Sequence, residues 1–169
     1  MIHLYTGEGK GKTTAAIGLA VRAAGCGMSV IFAQFMKGRD TGELQILKDM
    51  EKVRLMRPVQ DFGFYGSMND EDKRRLTEIH NQILDSILEA VKTDSCFLIV
   101  LDEITYPVKW GLLNMEKLKE LLACEGVELV CTGRDAAPFL QDVADYITEM
   151  RCVRHPFERG VAARRGVEY

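Results

Sequence analysis

Residues 6–14 read Thr-Gly-Glu-Gly-Lys-Gly-Lys-Thr-Thr and follow a short apolar run at 2–5. Gly7, Gly9 and Gly11 let the backbone turn tightly and aim several N–H groups inward, which suits a phosphate. A helix starting near Lys12 adds its positive end, Lys12 a mobile charge and Thr13 a hydroxyl for Mg²⁺. The usual pattern G-x-x-x-x-G-K-[ST] has glycine where this chain has Thr6, and Lys10 is an additional cation. Thr6, Gly7, Glu8, Gly9, Lys10, Gly11, Lys12, Thr13 and Thr14 are therefore expected to cradle a triphosphate. The loop alone leaves open which bond of that molecule breaks.

A second signal is the run Leu-Ile-Val-Leu-Asp-Glu at 98–103. A buried strand ending in carboxylates is where proteins with such loops hold Mg²⁺. Glu103 is read as the metal ligand, with Asp102 behind it and Mn²⁺ as the alternative ion. Residues 61–66 (Asp-Phe-Gly-Phe-Tyr-Gly) place three aromatic rings on a glycine-flanked loop. Any one ring could tuck into a core, but three together suit a flat apolar ligand. Arg134 ends the run Thr-Gly-Arg at 132–134 and either enters the same cleft or sits on the surface. The histidines at 3, 80 and 155 are too scattered to form a metal cluster, and His80, on an apolar helix face, reads as structural.

These residues need a frame. Apolar runs at 2–5, 29–35, 52–56, 96–103, 127–134 (running into a loop) and 146–150 read as strands, and helical patterns lie between most of them. Leu76, Ile79, Ile83, Leu84, Ile87, Leu88 and Val91 recur at three- and four-residue spacing, with Asn69 as the N-cap and three acids after it. Shorter helices are expected near 14–24, 43–50, 114–124 and 139–143, and 57–69 is expected to be a loop. Near-continuous apolar strands separated by helices predict an α/β fold of three layers, a mostly parallel central sheet with helices on both faces. Each chemical motif follows a strand, at the sheet end where open α/β folds place their ligands.

At 169 residues, 47% hydrophobic and 28% charged, the chain is expected to form a single globular domain over 1–169. A net charge of −3 argues against nucleic acid as the main partner. Five arginines between 151 and 165 face only Glu158 and Glu168, and that basic end reads as a solvated surface. The five cysteines form no C-x-x-C pair and are odd in number, which indicates neither a zinc site nor a disulfide framework. No run is long and apolar enough to span a bilayer, and the N-terminus lacks a basic and apolar leader. A reduced, cytoplasmic protein without membrane association is expected.

Taken together, the motifs resemble the ATP:corrinoid adenosyltransferases of the P-loop type. The matching pieces are the stretch 5–27, Gln-Phe-Met-Lys-Gly at 34–38 with Thr-Gly-Glu at 41–43, Gly63-Phe64, and Val-Leu-Asp-Glu-Ile-Thr-Tyr at 100–106. Cys-Thr-Gly-Arg-Asp-Ala-Ala-Pro at 131–138, the segments 144–150 and 153–157, and the closing 160–169 complete the set in the family's order. The resemblance implies a RecA-like P-loop NTPase fold and usually a homodimer. It implies transfer of the 5′-deoxyadenosyl group from the co-substrate ATP to cobalt(I) of a reduced corrinoid, with release of triphosphate, giving adenosylcobalamin or an adenosylated precursor. Lys12 and the loop would hold the triphosphate, Thr13 and Glu103 the Mg²⁺, and Gln34, Lys37 and Arg134 would lie in or near the substrate cleft. Phe64 matches a phenylalanine that packs near the lower face of the corrin and keeps the lower axial ligand away. An electron-donating flavoprotein or other reductase is the expected partner. The family often has Asn at the position of Glu8, Gly-Phe-Thr-Trp where this chain has Gly63-Phe64-Tyr65-Gly66, and an N-terminal arm over the active site. Without the resemblance the loop equally permits a small-molecule kinase, or a nucleotide-switched corrinoid-binding module without catalysis.

Overall fold

The computed structural model describes residues 1–93 and 96–168; Tyr169 of the closing motif lies outside the described residues. Six strands form one sheet: β1 (Ile2–Thr6), β2 (Val30–Gln34), β3 (Val53–Met56), β4 (Leu98–Asp102), β5 (Glu128–Thr132) and β6 (Tyr146–Glu149). All pairings are parallel, in the spatial order β3-β2-β4-β5-β1-β6. The helices are α1 (Lys12–Gly25), α2 (Glu43–Asp49), α3 (Asp70–Thr93), α4 (Thr105–Trp110), α5 (Met115–Leu122) and α6 (Pro138–Val143).

Alternation along the strands divides the core in two. Leu4, Ile31, Ala33, Ile99, Leu101, Leu129 and Cys131 pack with apolar residues of α3, α5 and α6. Val30, Phe32, Leu98, Val100 and Val130 face the other way, onto Ala16, Ala20 and Ala23 of α1 and Leu47 of α2. The small alanines bring α1 close to the sheet, which fixes the start of that helix, and the loop before it, against the strand ends. The expected covered sheet is present, except at β6, whose four residues are exposed. No helix among the described residues is long and apolar enough to cross a membrane.

Two details depart from the sequence pattern. Helix α4 was not expected; Pro107 lies in its first turn, where the missing N–H costs nothing, and the helix stops at Gly111, φ 66°. The loop at 57–69 contains a short 3₁₀ turn, Tyr65–Ser67. Asn69 caps α3 as expected. Its side chain accepts from the Asp72 N–H at 2.8 Å, and Asp72 accepts in return from the Asn69 N–H at 3.2 Å.

Candidate active site

The loop between β1 and α1 is held from the far end of the chain. The Gly9 N–H donates to the Met150 carbonyl at 2.5 Å, and the Met150 N–H to the Thr6 carbonyl at 2.8 Å. A Cβ on Gly9 would stand 2.5 Å from that carbonyl oxygen, so only glycine fits this close approach. The Lys12 ammonium folds over the loop, donating to the carbonyls of Gly7 (2.6 Å) and Gly9 (2.7 Å). Burial, then the nearby Arg134 charge, lowers its pKa below the ordinary lysine value.

Beneath the loop, the carboxylate of Asp102 is fully buried and gathers four side chains. It accepts from the Thr13 hydroxyl (2.9 Å) and the Thr132 hydroxyl (2.7 Å) through Oδ1, and from Lys37 Nζ (2.9 Å) through Oδ2, with Gln34 Nε2 at 3.4 Å. These hydrogen bonds, the one from the Lys37 ammonium charge-assisted, replace the water that the buried carboxyl group lacks. The Lys37 ammonium also donates to Thr13 Oγ1 at 3.0 Å and lies 3.8 Å from Glu103. Burial alone would lower its pKa, but the Asp102 and Glu103 charges outweigh that and hold it above the usual lysine value. Gln34 Oε1 has no protein partner among the described residues.

Glu103 turns out of the strand into the left-handed region, φ 62°, a conformation that a side chain other than glycine rarely takes. Its N–H donates to Thr132 Oγ1 at 2.9 Å, and its side chain faces the cleft while Asp102 stays behind. Burial, opposed by Lys37, raises the Glu103 pKa. Gly133, φ 143°, completes this corner, since a Cβ there would overlap the Thr105 side chain.

Two clefts meet at these residues. The first, 720 Å³, is lined by the glycine loop, Lys12, Thr13, Thr14, Arg134, and Gly166, Val167 and Glu168 of the closing segment. The second, 400 Å³, lies between the 57–69 loop and α4, and Phe64, Tyr65 and Trp110 are its rings. Lys37, Thr41, Glu103 and Tyr106 line both. Tyr65 stacks on Trp110 with centroids 4.3 Å apart and planes 8° from parallel, and Tyr106, one turn earlier on α4, stacks on the same indole at 5.1 Å. Phe64 is 79% exposed at the cleft mouth, with the Arg39 guanidinium 5.8 Å from its centroid. His80, fully buried, ties the two walls together: its ring nitrogens lie 2.8 Å from the carbonyls of Phe35 and Leu112. That is the structural role expected of it.

The sequence-predicted residues mostly converge. Glu8 to Thr14, Lys37, Glu103 and Arg134 line the first cleft, and Phe64 the second. Arg134 pairs with Glu8 at 3.1 Å near the loop. Thr6, Gly7 and Gln34 line neither: the Thr6 carbonyl pairs with β6, Gly7 accepts from Lys12, and Gln34 lies below the floor against Asp102. Sequence reasoning passed over Thr132, although it sits in the Thr-Gly-Arg run and secures both Asp102 and Glu103. It also passed over Thr41, Tyr106 and Trp110. An aromatic pair at i, i+4 just after the two carboxylates is the signal that could have marked the last two.

Such a site can bind a polyphosphate through backbone N–H groups and two lysines, and can seat a planar ligand beside it. Its oxygen-only donors suit a hard divalent cation. Among the described residues no group of three His, Cys, Asp or Glu side chains could hold a metal by itself, which leaves coordination positions to phosphate and water. A family model described as ATP:corrinoid adenosyltransferase BtuR/CobO/CobP matches residues 1–169. The chain is 32% identical over 172 residues to the corrinoid adenosyltransferase of Escherichia coli (strain K12), all of this chain aligning with 85% of that protein. It is 33% identical over 176 residues to corrinoid adenosyltransferase CobA of Salmonella typhimurium, again over the whole chain and 85% of that protein. To the corrinoid adenosyltransferase of Pseudomonas aeruginosa it is 32% identical, over 100% of the chain and 83% of the relative. By the match of the family model over its full length and by these relatives, the chain is a member of the ATP:corrinoid adenosyltransferase family.

Proposed function

We propose that this protein moves the 5′-deoxyadenosyl group of ATP onto cobalt(I) of a corrinoid and releases inorganic triphosphate. The observation that carries the reading is the shared wall: a triphosphate cradle and an aromatic cleft meet at Lys37, Thr41, Glu103 and Tyr106. Reduced cobalt is itself the nucleophile, so the protein needs no nucleophilic side chain. Its electron pair forms the cobalt–C5′ bond as the C5′–O bond breaks, and the oxygen leaves with the triphosphate. Adenosine lying across the shared wall would present C5′ to cobalt, and alignment of this kind is worth several kcal/mol of barrier.

The chain's own residues then have distinct tasks. Lys12, Lys10 and the loop N–H groups receive charge on the departing triphosphate. Thr13 and Glu103 would hold Mg²⁺ or Mn²⁺, with Asp102 orienting the Thr13 hydroxyl; when bound, the ion neutralises further charge on the leaving group. Tyr65, Trp110 and Phe64 offer an apolar wall to the corrin, and a ring at the cleft mouth hinders an axial ligand from reaching cobalt. A reductase would supply the electron that makes cobalt(I), and a homodimer is the assembly that the family resemblance suggests.

Anaerobic incubation with ATP, Mg²⁺ and chemically reduced cobalamin is the test. Triphosphate and a light-sensitive adenosylated corrinoid are expected in equal amounts. Formation of ADP with a phosphorylated acceptor would replace this reading with a kinase. Binding of both ligands without turnover would leave a nucleotide-switched binding module.

A further inference from the structure

The ammonium of Lys37 lies beside Thr13 and Glu103, the two groups expected to hold the metal, and against Asp102 behind them. It is 3.0 Å from Thr13 Oγ1, 2.9 Å from Asp102 Oδ2 and 3.8 Å from Glu103 Oε1. A divalent cation held by the Thr13 hydroxyl needs that oxygen at about 2.1 Å. An ammonium already hydrogen-bonded to the same oxygen cannot stay where it is beside such an ion. The backbone behind Lys37 is pinned, because Arg57 donates to its carbonyl at 2.9 Å. The side chain alone is therefore free to pivot, and it already lines both clefts. Gln34 adds a second observation: it is fully buried, and its Oε1 has no partner among the described residues although its amide N–H points to Asp102 and Glu43.

We infer that Lys37 is a tethered cation that excludes the metal until nucleotide arrives, and that metal and ammonium exchange beside Thr13 and Glu103. The inference rests on the metal position proposed above. A charge fixed to the chain competes at high effective concentration, so free divalent cation alone binds poorly. Metal carried in with a triphosphate brings its own anionic ligands and displaces the lysine. The displaced ammonium stays on the wall shared by the two clefts, so nucleotide loading changes the charge facing the second substrate. Gln34, pinned to Asp102, keeps the carboxylate oriented while its partners change.

The test is Mn²⁺ binding to the protein without nucleotide, read from the electron paramagnetic resonance signal of free Mn²⁺. Wild type should bind weakly, and Lys37→Met and Lys37→Gln should bind about tenfold tighter or more. Lys37→Arg keeps the charge and should bind no better than wild type. Neutral variants that match wild type, or bind more weakly, overturn the exchange, as would tighter binding by the arginine variant. If a neutral variant is unstable, its unfolding temperature is measured with and without Mn²⁺. A rise larger than that of wild type supports the inference, and no rise overturns it. Wild type that takes up no Mn²⁺ even with ATP removes the metal position itself, and the exchange with it.

Discussion

The two clefts are made of different material. The cleft at the glycine loop is built from backbone and buried hydrogen bonds: a glycine loop tied to Met150, and an Asp102 carboxylate whose oxygens are filled by Thr13, Thr132 and Lys37. The aromatic cleft is built from rings at a surface, held by one stack on Trp110 and by His80 beneath. The first gains strength from low exposure, where each charged contact is worth more and each loss leaves a buried group unpaired. The second gains adaptability, since stacked rings contribute only about 0.5–1.5 kcal/mol per pair.

The sharpest way to break the contrast is Asp102→Ala. It strands the Lys37 charge and two hydroxyls, and about 3–5 kcal/mol of stability should disappear in a denaturant titration. A loss below 1 kcal/mol would mean that the buried network is not what holds this cleft. Lys12→Ala should leave folding intact and slow turnover by about 10²–10³-fold, as loss of a donor to a leaving oxyanion does. Near-normal kcat would remove the loop from the chemistry. Trp110→Ala should cost about 1–2 kcal/mol of stability and raise the corrinoid KM with little change for ATP, while Trp110→Phe restores most of it. Equal effects on both substrates would show that the clefts are one unit.

Smaller effects sharpen the same comparison. Burial raises the Glu103 pKa, so its ionised form is a burden on the fold. With a raised folded-state pKa its contribution is favourable below the unfolded value, near 4.3, and is lost as pH rises through the folded value. Glu103→Gln should therefore be at least as stable as wild type at pH 7 by thermal unfolding, yet lose metal-supported turnover; a marked drop in Tm would contradict this. Phe64→Ala should leave stability within about 0.5 kcal/mol, because the ring is exposed. Its turnover should fall most when the reaction starts from cobalt(II), and an equal fall with pre-reduced cobalt(I) would refute a role in excluding an axial ligand.

The same division explains what the sequence revealed. Strand β4 and its two acids, the glycine loop and helix α1 are local patterns, written in consecutive residues, and all were legible. Thr132 was not, because its role arises only when β5 lies beside β4 and its hydroxyl reaches across to Asp102. Helix α4 was missed because it is only six residues long and carries Pro107, which a first helical turn tolerates. The Trp110 stack joins residues 45 positions apart, from Tyr65 to Trp110, and no periodicity records such a meeting. Phe64 was marked by its loop and by family resemblance, whereas the wall behind it needed the fold.

The position of β1 has a consequence for biosynthesis. This first strand lies between β5 and β6, and its loop hangs on the carbonyl of Met150. During synthesis β1 and its glycine loop are therefore made well before β6 and Met150, and the loop cannot take up this support until Met150 has emerged. Until then β2, β3 and β4 can pair among themselves, while the glycine loop remains without its support. A nucleotide bound at this loop would in this sense be a late ligand, able to stabilise the chain only once Met150 is in place.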